Sequence, residues 1–122
     1  MEEEKKLVVV ITCGLDDERA SVAWSVANGG ISSGLDVTVF LTSSGVDWAR
    51  KGAADLPHLN PLDPPMKEMT QNIMDRGSGI LVCPPCAKVR GYSEDDLLEG
   101  VIITGSGAIH KLIIFGAATL SF

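Results

Sequence analysis

The sequence predicts an α/β protein, a three-layer α/β/α sandwich built on a five-stranded, mainly parallel sheet. Two observations support this fold. Short apolar segments rich in β-branched residues recur along the 122 residues, and most of them precede a segment with helical periodicity. Breaks rich in Gly, Asp or Pro separate these segments. Such alternation implies right-handed crossovers between parallel strands, with helices on both faces of the sheet.

The first two strands are predicted from apolar runs at residues 7–12 and 36–41. Residues 7–12 show no polar alternation, which is typical of a strand covered on both faces. The acids at residues 16–18 suit the first turn of a helix, where carboxylates meet the positive end of the helix dipole. The inner face of this helix is predicted from four residues at helical spacing, Ala20, Ala23, Trp24 and Ala27. The Asn-Gly-Gly sequence at residues 28–30 is expected to end the helix.

The middle of the chain predicts a turn, two helices and a long loop. A small polar turn at residues 42–45 leads into a short helix over residues 46–51. Residues 52–65 contain four prolines and no clear period, which predicts an ordered loop of a length usually found at functional sites or interfaces. A longer helix is expected to follow and to end near residues 76–77. Its inner face is predicted from Met66, Met69 and Ile73.

The last third of the chain predicts three strands and two helices. Residues 79–82 form the third strand. Ser93 and the acids after it resemble a helix start, although Asp96 stands where a capping box usually has Glu. This short helix is expected to stop at Gly100. The remaining strand, helix and strand are predicted over residues 101–104, 106–115 and 117–122, with Ile109, Leu112 and Ile113 facing inward.

In a parallel sheet of this kind, ligands and catalytic groups gather at the carboxyl edge. Each predicted strand delivers the residues that follow it to that edge. The groups expected there are Cys13, Ser43, Ser44, residues 83–86 and residues 105–107. We therefore expect Ser43 and Ser44 to support a site formed around the cysteines.

Cys83 is the strongest candidate for chemistry because of the residues that follow it. Pro84 disfavours the α conformation at Cys83, which should be the last extended residue of its strand. Pro85 suits a first helical position. The Cys83 sulfur is then expected near the amides of Cys86 and Ala87, at the positive end of the helix.

Two basic residues, Lys88 and Arg90, follow the cysteines and are expected to favour a thiolate by lowering a thiol pKa. Cys86 is interpreted either as a thiol that resolves a disulfide with Cys83 or as a packing residue. A Cys-x-x-Cys pair where a strand meets a helix also allows dithiol redox chemistry of the thioredoxin kind. Cys13 is interpreted as a buried thiol.

No cofactor or metal is expected. A structural zinc site would need a second pair of ligands, and only Cys13, His58 and His110 remain, without paired spacing. Residues 105–107 lack the third glycine of a dinucleotide-binding loop and are better interpreted as a tight turn. The acids at residues 16–18 would repel the phosphate of a flavin.

Charge and composition argue against nucleic acid and membranes as partners. The formal net charge is −6, and no basic stripe is present for a phosphate backbone to bind. The apolar run at residues 7–11 is far shorter than the roughly 20 residues of a membrane span and unlike a signal peptide. Three cysteines, an odd number, suit reduced thiols better than a disulfide framework. We therefore expect a cytoplasmic protein in which residues 1–122 form one domain.

Four segments of the chain together resemble the DsrE/DsrF-like family of small sulfur-relay proteins. These segments are GLDDERA at residues 14–20, GVDWARKG at residues 45–52, VCPPCAKVRG at residues 82–91 and GAATLSF at residues 116–122. The resemblance implies a three-layer α/β/α domain, association into homotrimers or homohexamers, and a cysteine that accepts sulfur as a persulfide. Counted back from Arg90 and Gly91, that cysteine falls on Cys83. Cys86 is an additional thiol that sulfur-relay subunits generally lack.

The predicted function is that of a sulfur carrier or sulfurtransferase. In this hypothesis Cys83 takes sulfane sulfur from a donor protein as a persulfide and passes it to an acceptor, while Lys88 and Arg90 stabilise the anion. Cys86 keeps a second hypothesis open, a Cys83–Cys86 dithiol oxidoreductase. A third is an oligomeric binding module without turnover, in which the loop of residues 52–65 closes over a neighbouring subunit.

Overall fold

A computed structural model describes residues 5–122 and contains a five-stranded sheet in which all neighbouring strands are parallel. The strands are β1 (Lys6–Ile11), β2 (Asp36–Leu41), β3 (Gly79–Val82), β4 (Ile102–Ile103) and β5 (Ala118–Ser121). The α-helices are α1 (Arg19–Ser32), α2 (Met66–Arg76), α3 (Pro84–Val89) and α4 (Gly107–Ile114), and 3-10 helices span Ser43–Ala49 and Glu94–Asp96. The strand order is β4-β3-β2-β1-β5. The predicted α/β fold is confirmed.

The strands β1 and β2 lie near the centre of the sheet because their side chains are apolar on both faces. They pair in parallel, with Ile11 opposite Leu41. Alternate side chains of a strand point to opposite faces. Val9 and Ile11 accordingly join the main core, whereas Val8 packs in a smaller cluster on the other face.

The main core lies between the sheet and the helices α1 and α2. Its largest fully buried side chains include Trp24 of α1, Trp48 of the first 3-10 helix, and Met66 and Met69 of α2. The predicted inner faces of both helices are confirmed. Since burial of one large apolar side chain contributes about 1.5–3 kcal/mol, this face holds the larger part of the hydrophobic stabilisation.

The helix α1 continues to Ser32, past the point where the Asn-Gly-Gly sequence predicts its end. Gly30 is buried against the sheet, and a Cβ atom there would lie 2.8 Å from Val37 Cγ2 and 3.0 Å from Leu7 Cδ2. The glycine therefore allows close contact between helix and sheet. The chain turns only at Gly34, which has a φ of 86°.

Two predicted helix starts also differ from the structure. The acids at residues 16–18 precede α1, and the Asp17 carboxylate accepts a hydrogen bond from the Arg19 N–H at 2.9 Å. After Ser93 the chain forms a single 3-10 turn rather than an α-helix. The Ser93 N–H donates to Asp96 Oδ2 at 2.8 Å, so the capping box forms with Asp in place of Glu.

The helix α4 packs on the opposite face of the sheet. Ile109 contacts the cluster that contains Val8 and Phe40. Ile113, which was expected to face inward, is 45% exposed, and Phe115 just after the helix is 78% exposed. With eight residues α4 has about two turns, and its C-terminal end extends beyond the apolar surface that it covers.

No helix within residues 5–122 is both long enough and apolar enough to cross a membrane. In the same range, no group of three or more His, Cys, Asp or Glu side chains is placed to hold a metal ion. Residues 1–4 lie outside the described residues, so the expectation that the N-terminal segment is not a signal peptide stays a prediction there.

Candidate functional site

Cys83 and Cys86 lie at the carboxyl end of β3. Cys83 directly follows the strand and is extended, with a φ of −61° and a ψ of 122°, as Pro84 predicts. The Cys83 N–H donates to the carbonyl oxygen of Leu41 at 2.9 Å, which extends the hydrogen bonding between β3 and β2. The half-buried Cys83 side chain packs against the apolar cluster under α4.

The start of α3 does not place its amides on the Cys83 sulfur. This helix begins at Pro84, one residue earlier than predicted, and neither Pro84 nor Pro85 carries an N–H. The Ala87 N–H donates to the Cys83 carbonyl oxygen at 3.0 Å, as the first hydrogen bond of the helix. Within the described residues, the Cys83 side chain makes no capping hydrogen bond. The predicted amide cradle around Cys83 is therefore wrong.

The Cys86 sulfur instead receives contacts from the loop that follows β2. The Ser43 N–H donates to Cys86 Sγ at 3.2 Å, and the Thr42 hydroxyl lies 3.4 Å from the same atom. This loop reaches Cys86 because β2 and β3 are neighbours in the sheet. The neighbouring Cys83 thiol also lowers the pKa of Cys86. The two thiols thus lie near each other, and Cys86 Sγ has a backbone N–H and a hydroxyl beside it.

These contacts lower the pKa of the Cys86 thiol. The largest cause is the hydrogen bond with Thr42, followed by the effect of the neighbouring Cys83 thiol. The Ser43 N–H and the positive charge of Arg90 act in the same direction, against the effect of burial. Because the thiolate is the nucleophilic form of cysteine, the electrostatics of the site favour an attacking anion on Cys86.

Ser43 has a left-handed backbone conformation with a φ of 53°, and it is the only non-glycine residue with a positive φ among residues 5–122. Such a conformation costs about 1–2 kcal/mol. The turn is pressed onto the end of β1 at Gly45, where a Cβ atom would lie only 2.1 Å from the Ile11 carbonyl oxygen. The packing of the turn on β1 therefore holds Ser43 in the conformation that directs its N–H at Cys86.

The Arg90 guanidinium connects α3 with the first 3-10 helix. Its Nη1 donates to the Cys86 carbonyl oxygen at 3.1 Å and its Nη2 to Ser44 Oγ at 3.5 Å. Asp47 Oδ1 lies 3.7 Å from Arg90 Nε and accepts a hydrogen bond from the Tyr92 hydroxyl at 2.5 Å. Burial and the contact with Asp47 raise the pKa of Tyr92, which keeps the phenol protonated. Asp47 and Tyr92 thus orient the cation beside Cys86.

Known proteins share the sequence pattern of this chain. The sequence model of the DsrE/DsrF-like family matches residues 5–122. The chain belongs to the DsrE/DsrF-like family. It is 35% identical over 112 residues to the uncharacterized protein MJ0989 of Methanocaldococcus jannaschii, with 90% of each chain covered. It is also 34% identical over 107 residues to the uncharacterized protein MK0008 of Methanopyrus kandleri, covering 87% of this chain and 81% of that protein.

Solved structures share the fold of this DsrE/DsrF-like protein. The ychN protein from E. coli superposes with a TM-score of 0.76 at 20% identity, covering 98% of this chain and 100% of that one. A protein of unknown function from Methanobacterium thermoautotrophicum, MTH1491, gives a TM-score of 0.75 at 22% identity with the same coverage. These likenesses show the fold, and the family membership predicted from the sequence is confirmed.

Most residues that the sequence predicts for the site of this DsrE/DsrF-like protein come together in the structure. They are Cys83, Cys86, Arg90, Ser43 and Ser44. Ser43 contributes its backbone N–H, and Ser44 contacts Arg90 through its hydroxyl. The Lys88 side chain is exposed and forms no hydrogen bond or ion pair with any residue of the described chain.

The other cysteine and the histidines have local contacts of their own. Cys13 is buried in the main core, and its carbonyl oxygen accepts a hydrogen bond from Trp48 Nε1 at 3.0 Å. His58 Nε2 lies 2.8 Å from the Asp63 carbonyl oxygen, and His110 is exposed on α4. These positions are consistent with the interpretation of Cys13 as a buried thiol.

Sequence reasoning missed three residues of the site, Thr42, Asp47 and Tyr92. Thr42 directly follows β2, so the strand order would have placed it beside Cys86. Asp47 and Tyr92 are 45 positions apart, and their hydrogen bond has no signal in the local sequence.

Proposed function

We propose that this DsrE/DsrF-like protein is a sulfur carrier, which takes sulfane sulfur as a persulfide on the Cys83–Cys86 pair and passes it to an acceptor protein. The observation that supports this most strongly is the Cys86 sulfur, contacted by the Ser43 N–H and the Thr42 hydroxyl beside a second thiol. A thiolate next to a thiol suits sulfur exchange, because thiolates attack sulfur–sulfur bonds. The family resemblance assigns the persulfide to Cys83.

The exchange itself needs no cofactor. A thiolate attacks the outer sulfur of a donor persulfide, a new sulfur–sulfur bond forms, and the donor leaves as its thiolate as the old bond breaks. The positive charge of Arg90 acts on the Cys86 anion throughout. Reduced thiols also suit the cytoplasmic location that we propose.

Mass spectrometry after incubation with glutathione persulfide tests the proposal. We expect the wild-type protein to gain one sulfur at early times, before any release, and the double variant Cys83→Ser/Cys86→Ser to gain none. The Cys13→Ser variant is the control, and it should gain sulfur like the wild type because Cys13 is buried in the main core. A wild-type protein that gains no sulfur at early times and releases no sulfide would contradict the proposal, as would equal loading of the double variant.

A dithiol oxidoreductase is the second candidate, and the position of Cys83 directly before the helix that carries Cys86 favours it. All three cysteines are free thiols in the structure. If this function holds, a mild oxidant should close a Cys83–Cys86 disulfide, and dithiothreitol should reopen it. If both thiols remain open to alkylation after oxidation, this function is rejected.

We also propose that the protein assembles as a homotrimer or homohexamer. Ile113, Ile114 and Phe115, at the C-terminal end of α4, are 45%, 78% and 78% exposed. Clustered apolar side chains on a surface usually mark an interaction site. The loop of residues 52–65 adds Leu56 and Leu62, which are 93% and 94% exposed and are suited to contact a neighbouring subunit.

A further inference from the structure

We infer that Cys86 is the thiol that accepts sulfur, and that Cys83 is the thiol that attacks afterwards to release it as hydrosulfide when no acceptor protein is present. The assignment rests on the proposed function and reverses the one implied by the family resemblance. It follows from the groups around each sulfur. The Ser43 N–H and the Thr42 hydroxyl lie 3.2 and 3.4 Å from Cys86 Sγ, whereas no backbone N–H of residues 5–122 caps Cys83.

Cys86 packs against the main core on one side and has groups that stabilise an anion on the other. A backbone N–H, a hydroxyl and the positive charge of Arg90 all act on its sulfur. The nearby carboxylate of Asp47 is occupied by the Tyr92 hydroxyl and by Arg90 Nε. The site therefore presents a backbone N–H, a hydroxyl and positive charge to Cys86, while the Asp47 carboxylate is engaged by other groups.

The conformation of Ser43 supports the same assignment. Strained non-glycine residues cluster at functional sites, where the surrounding structure holds them in place. The packing of Gly45 on the end of β1 holds Ser43 in its left-handed conformation. In this conformation the Ser43 N–H points at Cys86 Sγ.

Cys83 has the surroundings of a partner thiol. Its side chain packs against an apolar cluster that contains Val8, Phe40 and Ile109, and these side chains offer no hydrogen bonds to an anion. Cys83 directly precedes the helix that carries Cys86, three positions before it, and its side chain is only half-buried. Cys83 is therefore in place to attack a sulfur carried by Cys86.

Both steps balance in atoms and electrons. In acceptance, the Cys86 thiolate attacks the outer sulfur of a donor persulfide, and the donor leaves as its thiolate without net oxidation. In release, the Cys83 sulfur attacks Cys86 Sγ, its proton moves to the outer sulfur, and hydrosulfide leaves. The cysteines lose two electrons as their disulfide forms, and the sulfane sulfur gains them. An external dithiol such as dithiothreitol then restores both thiols.

Single variants treated with glutathione persulfide at about pH 7 separate the two thiols. Cys83→Ser is expected to gain one sulfur, to retain it and to release no sulfide. Cys86→Ser is expected to gain sulfur about tenfold more slowly than the wild type, because the donors of the loop act on Cys86. With no acceptor protein present, the wild type should first gain one sulfur, then release sulfide and finish as a Cys83–Cys86 disulfide. Intact-mass measurement and a sulfide assay follow both products.

The outcomes distinguish this inference from the proposed function. Fast loading of Cys86→Ser with slow loading of Cys83→Ser returns the persulfide to Cys83, which overturns the inference and leaves the proposed function standing. Equal loading of the two variants overturns the inference as well. A wild-type protein that neither gains sulfur at early times nor releases sulfide overturns the proposed function itself.

Thr42→Val provides a second test that leaves both cysteines in place. Valine keeps the shape of the side chain and removes the hydroxyl beside Cys86, so loading at neutral pH should slow severalfold and recover as the pH rises. Thr119→Val, at an exposed position of β5, is the matched control and should load like the wild type. Loading of Thr42→Val at the wild-type rate across the pH range counts against the assignment.

Discussion

At the scale of single residues, the loop after β2 supplies groups that stabilise the Cys86 thiolate. Thr42 acts through its hydroxyl and Ser43 through its backbone N–H. A threonine hydroxyl and a backbone N–H are not features by which a sequence reveals an activated nucleophile. The two cysteines, three positions apart in the chain, therefore differ because of groups that come from another strand.

The lowered pKa of Cys86 predicts that its thiolate persists at a pH where ordinary thiols are protonated. In the folded protein, the pH profile of Cys86 alkylation by iodoacetamide should have a lower midpoint than in the denatured chain. The same shift contributes stability that is present above the unfolded pKa and is lost as the pH falls through the folded pKa. Peptide mapping of the alkylation rate over about pH 5 to 9 measures the midpoints. Coincident midpoints contradict the prediction.

Arg90 and Lys88 provide a matched pair of basic residues. Arg90→Ala removes the bridge to the Cys86 carbonyl and Ser44 as well as a positive charge. We expect sulfur loading to slow by about two- to tenfold, with some of the effect screened by salt. Lys88→Ala should load like the wild type because its side chain is exposed and makes no such contact within residues 5–122. Equal slowing of both variants would show that only general positive charge matters.

At the scale of elements, glycines set how closely a loop and a helix approach the sheet. Gly45 brings the turn of residues 43–45 onto the end of β1, and Gly30 brings α1 onto the side chains of Leu7 and Val37. In both places the neighbour occupies the volume that a Cβ atom would need. The positions of the turn and of α1 therefore depend on the absence of a Cβ atom at Gly45 and at Gly30.

Gly45→Ala is expected to lower the free energy of unfolding by about 1–3 kcal/mol, because the added Cβ overlaps the Ile11 carbonyl oxygen. The displaced turn should also move the Ser43 N–H away from Cys86 and slow sulfur loading. Gly29→Ala in α1 is the control, since no heavy atom lies within 4 Å of its added Cβ. That control should be as stable as the wild type or gain up to about 1 kcal/mol. Urea unfolding measures the free energy of unfolding of both variants. An unchanged unfolding midpoint for Gly45→Ala contradicts the prediction.

At the scale of the whole molecule, the two faces of the sheet are covered unequally. The main core under α1 and α2 holds both tryptophans, whereas the cluster under α4 has three buried residues, Val8, Phe40 and Ile109. The end of α4 leaves Ile114 and Phe115 largely exposed. The assembly that we propose would remove these side chains from water.

Ile114→Glu is expected to dissociate the proposed trimer or hexamer, because it places a charge among apolar side chains that would be buried between subunits. Val22→Glu is the matched control, an apolar residue that is 45% exposed on α1, and it should leave the assembly unchanged. Sedimentation velocity measures the mass of each species. A wild-type protein that sediments as a monomer would contradict the proposed assembly.

Local patterns predicted much of this protein. The uninterrupted apolar run of β1 and the helical spacing of Met66, Met69 and Ile73 correctly predicted the sheet and the inner face of α2. Pro84 correctly predicted the extended Cys83. The end of α1 was predicted wrongly, because a glycine pair commonly ends a helix and here Gly30 makes room for a strand. The pattern of residues alone does not distinguish these two uses of glycine.

The sequence by itself determined the parallel α/β fold, the residues of the main core and the place of the Cys83–Cys86 pair at the end of β3. These features depend on hydrophobic periodicity and on the nearest neighbours of each residue in the chain. Both effects act over only a few positions of the sequence. Only the tertiary structure decided that the donors surround Cys86. Thr42 and Ser43 are 44 and 43 positions away from Cys86, and they reach its sulfur because β2 pairs with β3 and Gly45 allows their turn to pack on β1.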